Sequence, residues 1–255
     1  MKNVKGKYIW IVGASSGIGA ALAKELAEKG AILALSARRE DKLVELISTL
    51  NGNQHIAIPV DVGNLESVYK AQKYILQSFS HIDSAIFMAA IYSAHDGRKK
   101  DISFIHDMLD VNLGGAFNMI DGLLPLYESQ GYGQLVLCAS VAGYRGLPNG
   151  QPYCATKAAL INLAESLKIE WEPKNIDVKV ICPGFVKTPL TDKNKFPMPM
   201  IIEAEEAARA LADGLCAGSF EIHFPKRFTW MMKILRLLPY PLYFLLARRM
   251  RSVSL

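Results

Sequence analysis

A tyrosine and a lysine stand four residues apart in the segment Tyr153-Cys154-Ala155-Thr156-Lys157. In a helix, residues at this spacing share a face, so the phenol and the ammonium group would be neighbours. A free phenol has a pKa of about 10 and is a poor acid–base group near neutral pH. A nearby ammonium group favours the phenolate and lowers that pKa, which makes proton transfer more efficient. The pair predicts acid–base chemistry, but this spacing is common in helices and needs support from other residues.

Two further polar residues strengthen that interpretation. Ser140 follows the apolar run 135–139, and its hydroxyl could hydrogen-bond a substrate carbonyl. Asn112 lies inside a helical pattern although Asn is a poor helix former. It either marks a kink or holds a water molecule, and the alternative is an exposed helical Asn.

A turn rich in glycine, VGASSGIG at residues 12–19, separates a strand-like run from a helical pattern. Gly13, Gly17 and Gly19 could bring backbone close to a phosphate at the amino end of the helix. The same letters also match the G-x-S-x-G spacing of serine hydrolases. A hydrolase needs an acid and a His later in the chain, and the only His after residue 110 is His223. We therefore favour the phosphate-binding interpretation.

The elements that must position these residues alternate along the chain. Strand-like runs are predicted at 8–12, 32–36, 55–60, 84–89, 134–139 and 177–182, and helices at 17–28, 41–50, 65–79, 105–127 and 153–171. This alternation predicts an α/β fold: a doubly wound parallel sheet covered on both faces, in one domain over 1–225. Ligands of such sheets bind beyond the carboxyl ends of the strands.

The ends of the second and third predicted strands suggest which dinucleotide binds. A carboxylate after the second strand would bind the ribose 2′-hydroxyl of NAD, but Arg38 and Arg39 stand there instead. Their forked, charged hydrogen bonds suit a 2′-phosphate, so we expect NADP(H) to be preferred over NAD(H). The alternative is that both arginines are a solvated helix start. Asp61, after the third strand, could accept from the adenine amino group or cap the next helix.

Taken together, the motifs resemble those of the short-chain dehydrogenase/reductase family over residues 7–225. Gly13, Gly17 and Gly19 match its glycine motif, and the run 183–188, PGFVKT, matches its motif after the sixth strand. Four residues match its catalytic tetrad: Asn112, Ser140, Tyr153 and Lys157.

The resemblance implies a Rossmann fold and hydride transfer between nicotinamide and a carbonyl or alcohol substrate. It implies that Tyr153 is the general acid/base, that Ser140 orients the carbonyl, and that Lys157 lowers the phenol pKa and binds the nicotinamide ribose. Asn112 would hold a water molecule in a proton relay. The expected cofactor contacts are Gly13, Ser15, Ser16, Gly17, Ile18, Gly19, Arg38, Arg39, Asp61, Val62, Ala89, Tyr153, Lys157, Pro183, Gly184, Val186 and Thr188.

Two positions depart from the family pattern. Val12 stands where the family usually has Thr, so a stabilising hydroxyl is lost. Phe87-Met88-Ala89-Ala90 stands where Asn-Asn-Ala-Gly is usual, and Met88 cannot make the hydrogen bonds that tie neighbouring strands together. We expect local repacking around an intact active site. Cofactor affinity is the property that we expect the change to affect most.

The carboxyl-terminal segment 226–255 is apolar and basic. It holds seven of the 29 Lys and Arg residues and none of the 24 acids, so the rest of the chain is slightly acidic and a nucleic-acid partner is not expected. Its longest uncharged run, 237–247, is far shorter than the ~20 residues that span a bilayer. Two interpretations remain open: a peripheral anchor on anionic lipid, or a helix packed on the body or a second subunit.

Several further expectations are less specific. Residues 189–202 lie where the family has its substrate lid, and their Met and Phe side chains suggest a lipophilic substrate, with ordinary loop packing as the alternative.

Four scattered Cys residues indicate buried thiols in a reducing cytoplasm, and the dispersed His residues indicate no metal site. The resemblance implies a homodimer or homotetramer that pairs through the helices predicted at 105–127 and 153–171. A cofactor-binding regulator without turnover and a peripheral membrane interaction protein are the rival functions.

Overall fold

One parallel sheet of seven strands forms the centre of the molecule, in the order β3-β2-β1-β4-β5-β6-β7. This computed structural model describes residues 1–93, 101–194 and 196–252, the last three as backbone only. The strands are β1 (Tyr8–Val12), β2 (Ile32–Ala37), β3 (Ile56–Pro59), β4 (Ser84–Phe87), β5 (Gly133–Cys138), β6 (Ile176–Pro183) and β7 (Glu221–Phe224). The order of the strands reverses between β1 and β4, which is where doubly wound sheets bind their ligands.

Helices connect the strands and cover both faces of the sheet. Those of the described residues are α1 (Gly17–Glu28), α2 (Glu40–Ile47), α3 (Leu65–Phe79), α4 (Ile102–Leu109), α5 (Gly115–Gln130), α6 (Tyr153–Trp171), α7 (Ala204–Cys216), α8 (Lys226–Leu237) and α9 (Tyr240–Ser252). Side chains of β1 alternate between two cores: Trp10 and Val12 face α3, α5 and α6, whereas Ile9 and Ile11 face α1, α2 and α7. The doubly covered parallel sheet predicted from the alternation is therefore confirmed.

All six predicted strands are present, with ends that shift by at most two residues. The seventh, β7, was not predicted because Glu221-Ile222-His223-Phe224 is short and half polar. It is defined by its partner, since it continues the parallel pairing of β6 from Val180 to Pro183. Pairing with a neighbouring strand, rather than its own apolar pattern, makes this segment a strand.

The helix predicted at 105–127 consists of three consecutive segments. The helix α4 ends at Leu109, a π-helical turn follows at Asp110–Gly114, and α5 then begins at Gly115. Asn112 lies inside the π-helical turn, where the chain bulges by one residue. The kink that Asn112 suggested is therefore present. The helix α7, which sequence reasoning missed, packs small side chains such as Ala207 and Ala208 against α1.

The segment after β7 folds back onto the body as α8 and α9. Phe228, Met232 and Leu235 of α8 and Tyr243 and Ala247 of α9 are part of the core that also contains Trp10. Packing on the body, one of the two interpretations left open for this segment, is therefore observed for one face of each helix. No helix within the described residues has the length and apolar character needed to cross a membrane.

Candidate active site

A cavity of about 600 Å³ opens at the carboxyl edge of the sheet. The segments that follow β1 to β6 line it, as expected for a ligand at the switch point of the strand order. Each residue predicted as a cofactor contact borders this cavity, and Asn112 of the predicted tetrad lies behind its wall. Cavity residues that sequence reasoning did not single out include Ile91 and Val111, and Leu190 and Thr191 of the predicted lid also border the cavity.

The glycine turn brings two backbone segments into close contact. Gly13 has a φ of 99°, in the left-handed region, and a Cβ built on it would lie 2.6 Å from the Ala89 backbone nitrogen. A side chain at position 13 would therefore push the segment after β4 away from β1. Ser16 is the N-cap residue of α1, yet its side chain makes no capping hydrogen bond. The N–H groups of the first helical turn are thus left for an anionic ligand.

The Arg39 side chain turns toward the glycine turn. Its Nη2 donates to Ser15 Oγ at 3.0 Å and to Ser16 Oγ at 3.5 Å. Arg38 and Arg39 both border the cavity, and no carboxylate follows β2 before them. Both arginines are exposed and Arg39 is the N-cap residue of α2, so the solvated helix start stays an alternative to cofactor binding. A guanidinium group beside a helix amino end suits a phosphate, and the contact of Arg39 with the glycine turn has this arrangement.

Asp61 borders the cavity but does not cap the following helix. Asn64 is the N-cap residue of α3, and its Oδ1 accepts from the Ser67 backbone N–H at 3.0 Å. Asp61 Oδ1 accepts instead from the Gly63 backbone N–H at 3.1 Å. The N-cap interpretation of Asp61 is therefore wrong, because Asn64 is three residues closer to the helix and takes that role.

Tyr153 and Lys157 lie at the start of α6 beside Ser140, which follows β5. Lys157 is 2% exposed, and its Nζ donates to the Cys138 carbonyl oxygen at 2.7 Å and lies 5.5 Å from the Tyr153 ring centre. The Ser140 hydroxyl accepts from the Ala142 backbone N–H at 3.1 Å. The phenol, the hydroxyl and the ammonium group thus meet at one wall of the cavity.

The protonation of this cluster is dominated by burial. Removal from water raises the pKa of the Tyr153 phenol above 10, and a hydrogen bond with Ser140 opposes that shift. Burial also lowers the pKa of the Lys157 ammonium group. The raised pKa of the phenol runs opposite to the direction expected from the spacing of Tyr153 and Lys157, because desolvation is the largest contribution to it. Tyr153 is therefore a protonated phenol at neutral pH.

Asn112 ties the π-helical turn to the segment after β4. Its Oδ1 accepts from the Ile91 backbone N–H at 2.7 Å, and its Nδ2 donates to the Ile91 carbonyl oxygen at 3.0 Å. Nδ2 also contacts Thr156 Oγ1 of α6 at 3.4 Å. Asn112 is fully buried, so the alternative of an exposed helical Asn is wrong. It joins three elements that border the cavity.

The departure at residues 87–90 is accommodated by repacking. Phe87 is fully buried in one core, and Met88 packs against the other core, with its backbone N–H donating to the Val12 carbonyl oxygen at 2.7 Å. Met88, Ala89 and Ala90 all border the cavity, which remains open beside them. Phe87 and Met88 thus pack against the two cores, while an intact active site beside this segment stays a prediction.

The predicted lid reaches across to Tyr92, whose ring packs edge-on against Tyr153 with 5.1 Å between ring centres. Asn194 Oδ1 accepts from the Tyr92 hydroxyl at 2.9 Å, and Lys193 Nζ donates to the Tyr92 carbonyl oxygen at 3.2 Å. Residue 195 of the lid lies outside the described residues. Tyr92 was not singled out by sequence reasoning, since an isolated Tyr after a strand carries no motif.

The competing hydrolase interpretation finds no support in the geometry. Ser15 borders the cavity with its hydroxyl bonded to Arg39, whereas His223 is buried in β7 and bonds Thr229 Oγ1 at 2.6 Å.

In the part of the chain that the structure describes, no three His, Cys, Asp or Glu side chains gather as metal ligands do.

The fold and the cavity define a dinucleotide-binding α/β protein, and comparison with known proteins identifies its family. A family model described as short chain dehydrogenase matches residues 7–197. The chain is 30% identical over 253 residues to an uncharacterised oxidoreductase of Myxococcus xanthus strain DK1622, covering 98% of this chain and 100% of that protein. It is 32% identical over 241 residues to the 11-beta-hydroxysteroid dehydrogenase-like 3 of Arabidopsis thaliana, covering 90% and 77%. The chain belongs to the short-chain dehydrogenase/reductase family.

Solved structures show the same fold. The 3-ketoacyl-(acyl-carrier-protein) reductase of Brucella melitensis, complexed with NADH, has a TM-score of 0.79 at 22% identity, covering 88% of this chain and 99% of that one. A short chain dehydrogenase of Burkholderia cenocepacia J2315 in complex with NADP has a TM-score of 0.75 at 23% identity, covering 87% and 89%. At these identities the likeness shows the fold alone.

The contacts of Asn112 predict a loss of stability when they are removed. In Asn112→Ala, the Ile91 backbone N–H and carbonyl lose their buried partners, so we expect the free energy of unfolding to fall by about 2–4 kcal/mol. Urea denaturation followed by circular dichroism measures this. Asn118→Ala is the matched control, since it removes one partly buried hydrogen bond from the side-chain amide to the Val62 carbonyl oxygen. Its free energy of unfolding should fall by less. Equal losses in both variants would show that Asn112 does not join the elements as described.

Proposed function

We propose that this protein is an NADP(H)-dependent oxidoreductase that interconverts a carbonyl and an alcohol in a lipophilic small molecule, with Tyr153 as the general acid/base. The observation that carries the proposal is the shared cavity. It joins the open amino end of α1 to a wall formed by Tyr153, Ser140 and Lys157. One end of this cavity suits a phosphate, and the other suits proton transfer to a substrate oxygen.

The side chains of this chain suit the reduction of a carbonyl. A bound nicotinamide would supply or accept the hydride at the substrate carbon. The Tyr153 phenol donates its proton to the carbonyl oxygen, which becomes the hydroxyl of the product. Ser140 donates a hydrogen bond to the same oxygen, and the Lys157 ammonium group stabilises the phenolate that remains. In alcohol oxidation the proton moves in the opposite direction, so Tyr153 must first be deprotonated.

The chemistry of the cavity walls supports NADP(H) as the cofactor. The uncapped first turn of α1 suits a pyrophosphate, and Gly13 lets the backbone approach without a side chain in between. Arg38 and Arg39 border the cavity and would supply positive charge to a 2′-phosphate, and Asp61 and Val62 of the same cavity would contact the adenine. Pro183, Gly184 and Thr188 also border the cavity, and they match the motif with which the family holds the nicotinamide amide. The named structural neighbours were solved with NADH and with NADP, so they support a nicotinamide cofactor but leave the preference to be tested.

The substrate side supports a lipophilic molecule. Ile91, Val111 and Leu190 border the same cavity as Tyr153 with apolar side chains. The name of the Arabidopsis relative refers to a steroid substrate, which is lipophilic.

The assembly and location are part of the same proposal. We assign the catalytic unit to residues 1–225 and place the protein in the cytoplasm as a homodimer or homotetramer. Exposed apolar side chains on the helices that would pair, Phe117 of α5 and Ile169 of α6, support that assembly.

Replacing Tyr153 with Phe tests the general acid. The ring keeps its packing against Tyr92, but the proton donor is lost, so we expect kcat with NADPH and a lipophilic ketone to fall by about 10²- to 10⁴-fold. NADPH affinity, measured by fluorescence titration, should change little. The rate is followed as NADPH consumption over a panel of ketones and aldehydes.

The matched control is Tyr92→Phe, which removes a neighbouring phenol hydroxyl that bonds to Asn194. Its kcat should fall far less than that of Tyr153→Phe. Tight NADPH binding without turnover of any carbonyl in the panel would favour a cofactor-binding regulator over an enzyme.

Replacing Arg39 with Ala tests the cofactor preference. A charged hydrogen bond to a 2′-phosphate is lost, so we expect NADPH affinity to fall by about 10- to 100-fold and NADH affinity by less than about threefold. Lys42→Ala removes an exposed positive charge that pairs with Glu45 on the same helix, and it should leave both affinities in place. Equal losses of NADPH and NADH binding in Arg39→Ala would contradict the assignment.

The raised pKa of Tyr153 predicts how each direction depends on pH. The phenol is the proton donor in reduction and stays protonated below its raised pKa, so kcat/KM for reduction should stay level from about pH 6 to about pH 9. Oxidation needs the phenolate, so its rate should rise with pH across the same range. Steady-state pH profiles in both directions measure this. A reduction rate that falls with a midpoint near pH 7 would show that Lys157 lowers the phenol pKa in the working enzyme.

A further inference from the structure

The helix α8 is apolar on two opposite faces. The face that packs on the body carries Phe228, Met232 and Leu235, none of them more than 8% exposed. The opposite face is solvent-exposed and also apolar; it carries Trp230, Met231, Ile234 and Leu237, which are 54–82% exposed. A surface helix usually has one apolar stripe and one polar face. The second apolar face of α8 is therefore exposed to solvent, where a surface helix usually carries polar residues.

The helix α9 repeats this arrangement. Tyr243 and Ala247 face the body, while Leu242, Leu245 and Leu246 are exposed on the other side. Tyr240 and Phe244 lie beside Tyr243 and are also at least half exposed. Nine of the 20 exposed large hydrophobic side chains among the described residues lie between residues 230 and 246. We call the exposed side chains of α8 and α9 the tail surface. A concentration of this kind marks an interaction site rather than scattered surface residues.

The tail surface is positively charged. The segment 226–255 contains seven Lys and Arg residues and no acid. Lys233 pairs with Glu221 and Arg236 lies 3.8 Å from Glu165, both of them acids of the body. Lys226, Arg227 and Arg248 are exposed. Apolar side chains flanked by such cations complement a surface with an apolar interior and negative groups at its edge.

The inner sides of the two helices are held firmly beside the candidate site. The Tyr144 hydroxyl and Lys233 both bond to Glu221. Arg145 lies 5.0 Å and 4.9 Å from the ring centres of Tyr240 and Tyr243, and its guanidinium donates to the Leu238 carbonyl. The tail surface is thus carried on two helices that contact the loop between Ser140 and Tyr153.

We propose that the tail surface docks the protein onto a lipid bilayer that contains anionic headgroups. The helices are 12 and 13 residues long, about 18–20 Å each, which is shorter than the ~30 Å hydrocarbon layer. Helices of this length, with a break at Leu238 and Pro239, lie in the plane of the interface. Trp230 and Tyr240 belong to the residue types that favour the headgroup level. The proposal does not depend on the proposed function, since lipid binding is measured without turnover.

A second copy of this chain fits the tail surface less well. A symmetric dimer through this patch would bring the same positively charged surface of both copies together. No acid of the segment is available to neutralise that charge. An anionic bilayer supplies both the apolar layer and the opposite charge.

Co-sedimentation of the full chain with vesicles tests the proposal. We expect binding to phosphatidylcholine vesicles with about 30% phosphatidylserine, weak binding to phosphatidylcholine alone, and weakening by salt. Each basic side chain near such a surface contributes about fivefold to binding, so Lys226→Glu with Arg227→Glu should lower it by about 25-fold or more. Acids at the start of a helix stabilise it, so this variant should keep its fold.

Two matched variants make the result specific. Lys24→Glu with Lys73→Glu makes the same charge change on α1 and α3 and should leave vesicle binding unchanged. Ile234→Ser with Leu237→Ser should weaken binding by about tenfold or more, whereas Val44→Ser with Ile102→Ser, at comparable exposure, should not. Absence of binding to anionic vesicles, or equal losses in both charge variants, would overturn the proposal. So would tail variants that change only the oligomeric state in sedimentation velocity, because a second copy would then cover the surface.

Discussion

The hydrogen bond from the buried Lys157 ammonium group to the Cys138 carbonyl is the interaction on which the candidate site depends. It joins α6 to the end of β5, two residues before Ser140. Because Tyr153 lies one turn before Lys157 on the same helix face, this bond places the phenol beside the Ser140 hydroxyl. A buried ammonium group is costly unless it is hydrogen-bonded, so the bond makes this arrangement of helix and strand the favourable one.

A second group of contacts holds the opposite wall of the cavity. The chain lacks the Asn at position 88 that usually ties the central strands, and Met88 packs into the core instead. Asn112 makes two hydrogen bonds to the backbone of Ile91, and Gly13 lets the Ala89 backbone lie against β1. These contacts explain how the cavity keeps its shape although the family's usual side-chain tie is absent.

Much of this arrangement could be predicted because it depends on short, local patterns. The alternation of apolar runs predicts the parallel sheet, and the sheet brings Gly13, Arg38, Ser140 and Gly184 to one edge. What could not be predicted depends on tertiary contacts. The strand β7 is defined by pairing with β6, and Asn64 rather than Asp61 caps α3 because of where that helix begins. The raised pKa of Tyr153 reflects burial, which the spacing of Tyr153 and Lys157 does not reveal.

The central claim is that the cavity carries hydride transfer with Tyr153 as the proton donor. The most direct test follows deuterium from NADPH labelled at nicotinamide C4 into the product of a lipophilic ketone, with mass spectrometry as the readout. We expect one deuterium on the carbinol carbon with the native enzyme and a loss of labelled product in Tyr153→Phe. Bound NADPH with no labelled alcohol from any ketone, or equal labelling by Tyr153→Phe, would contradict it.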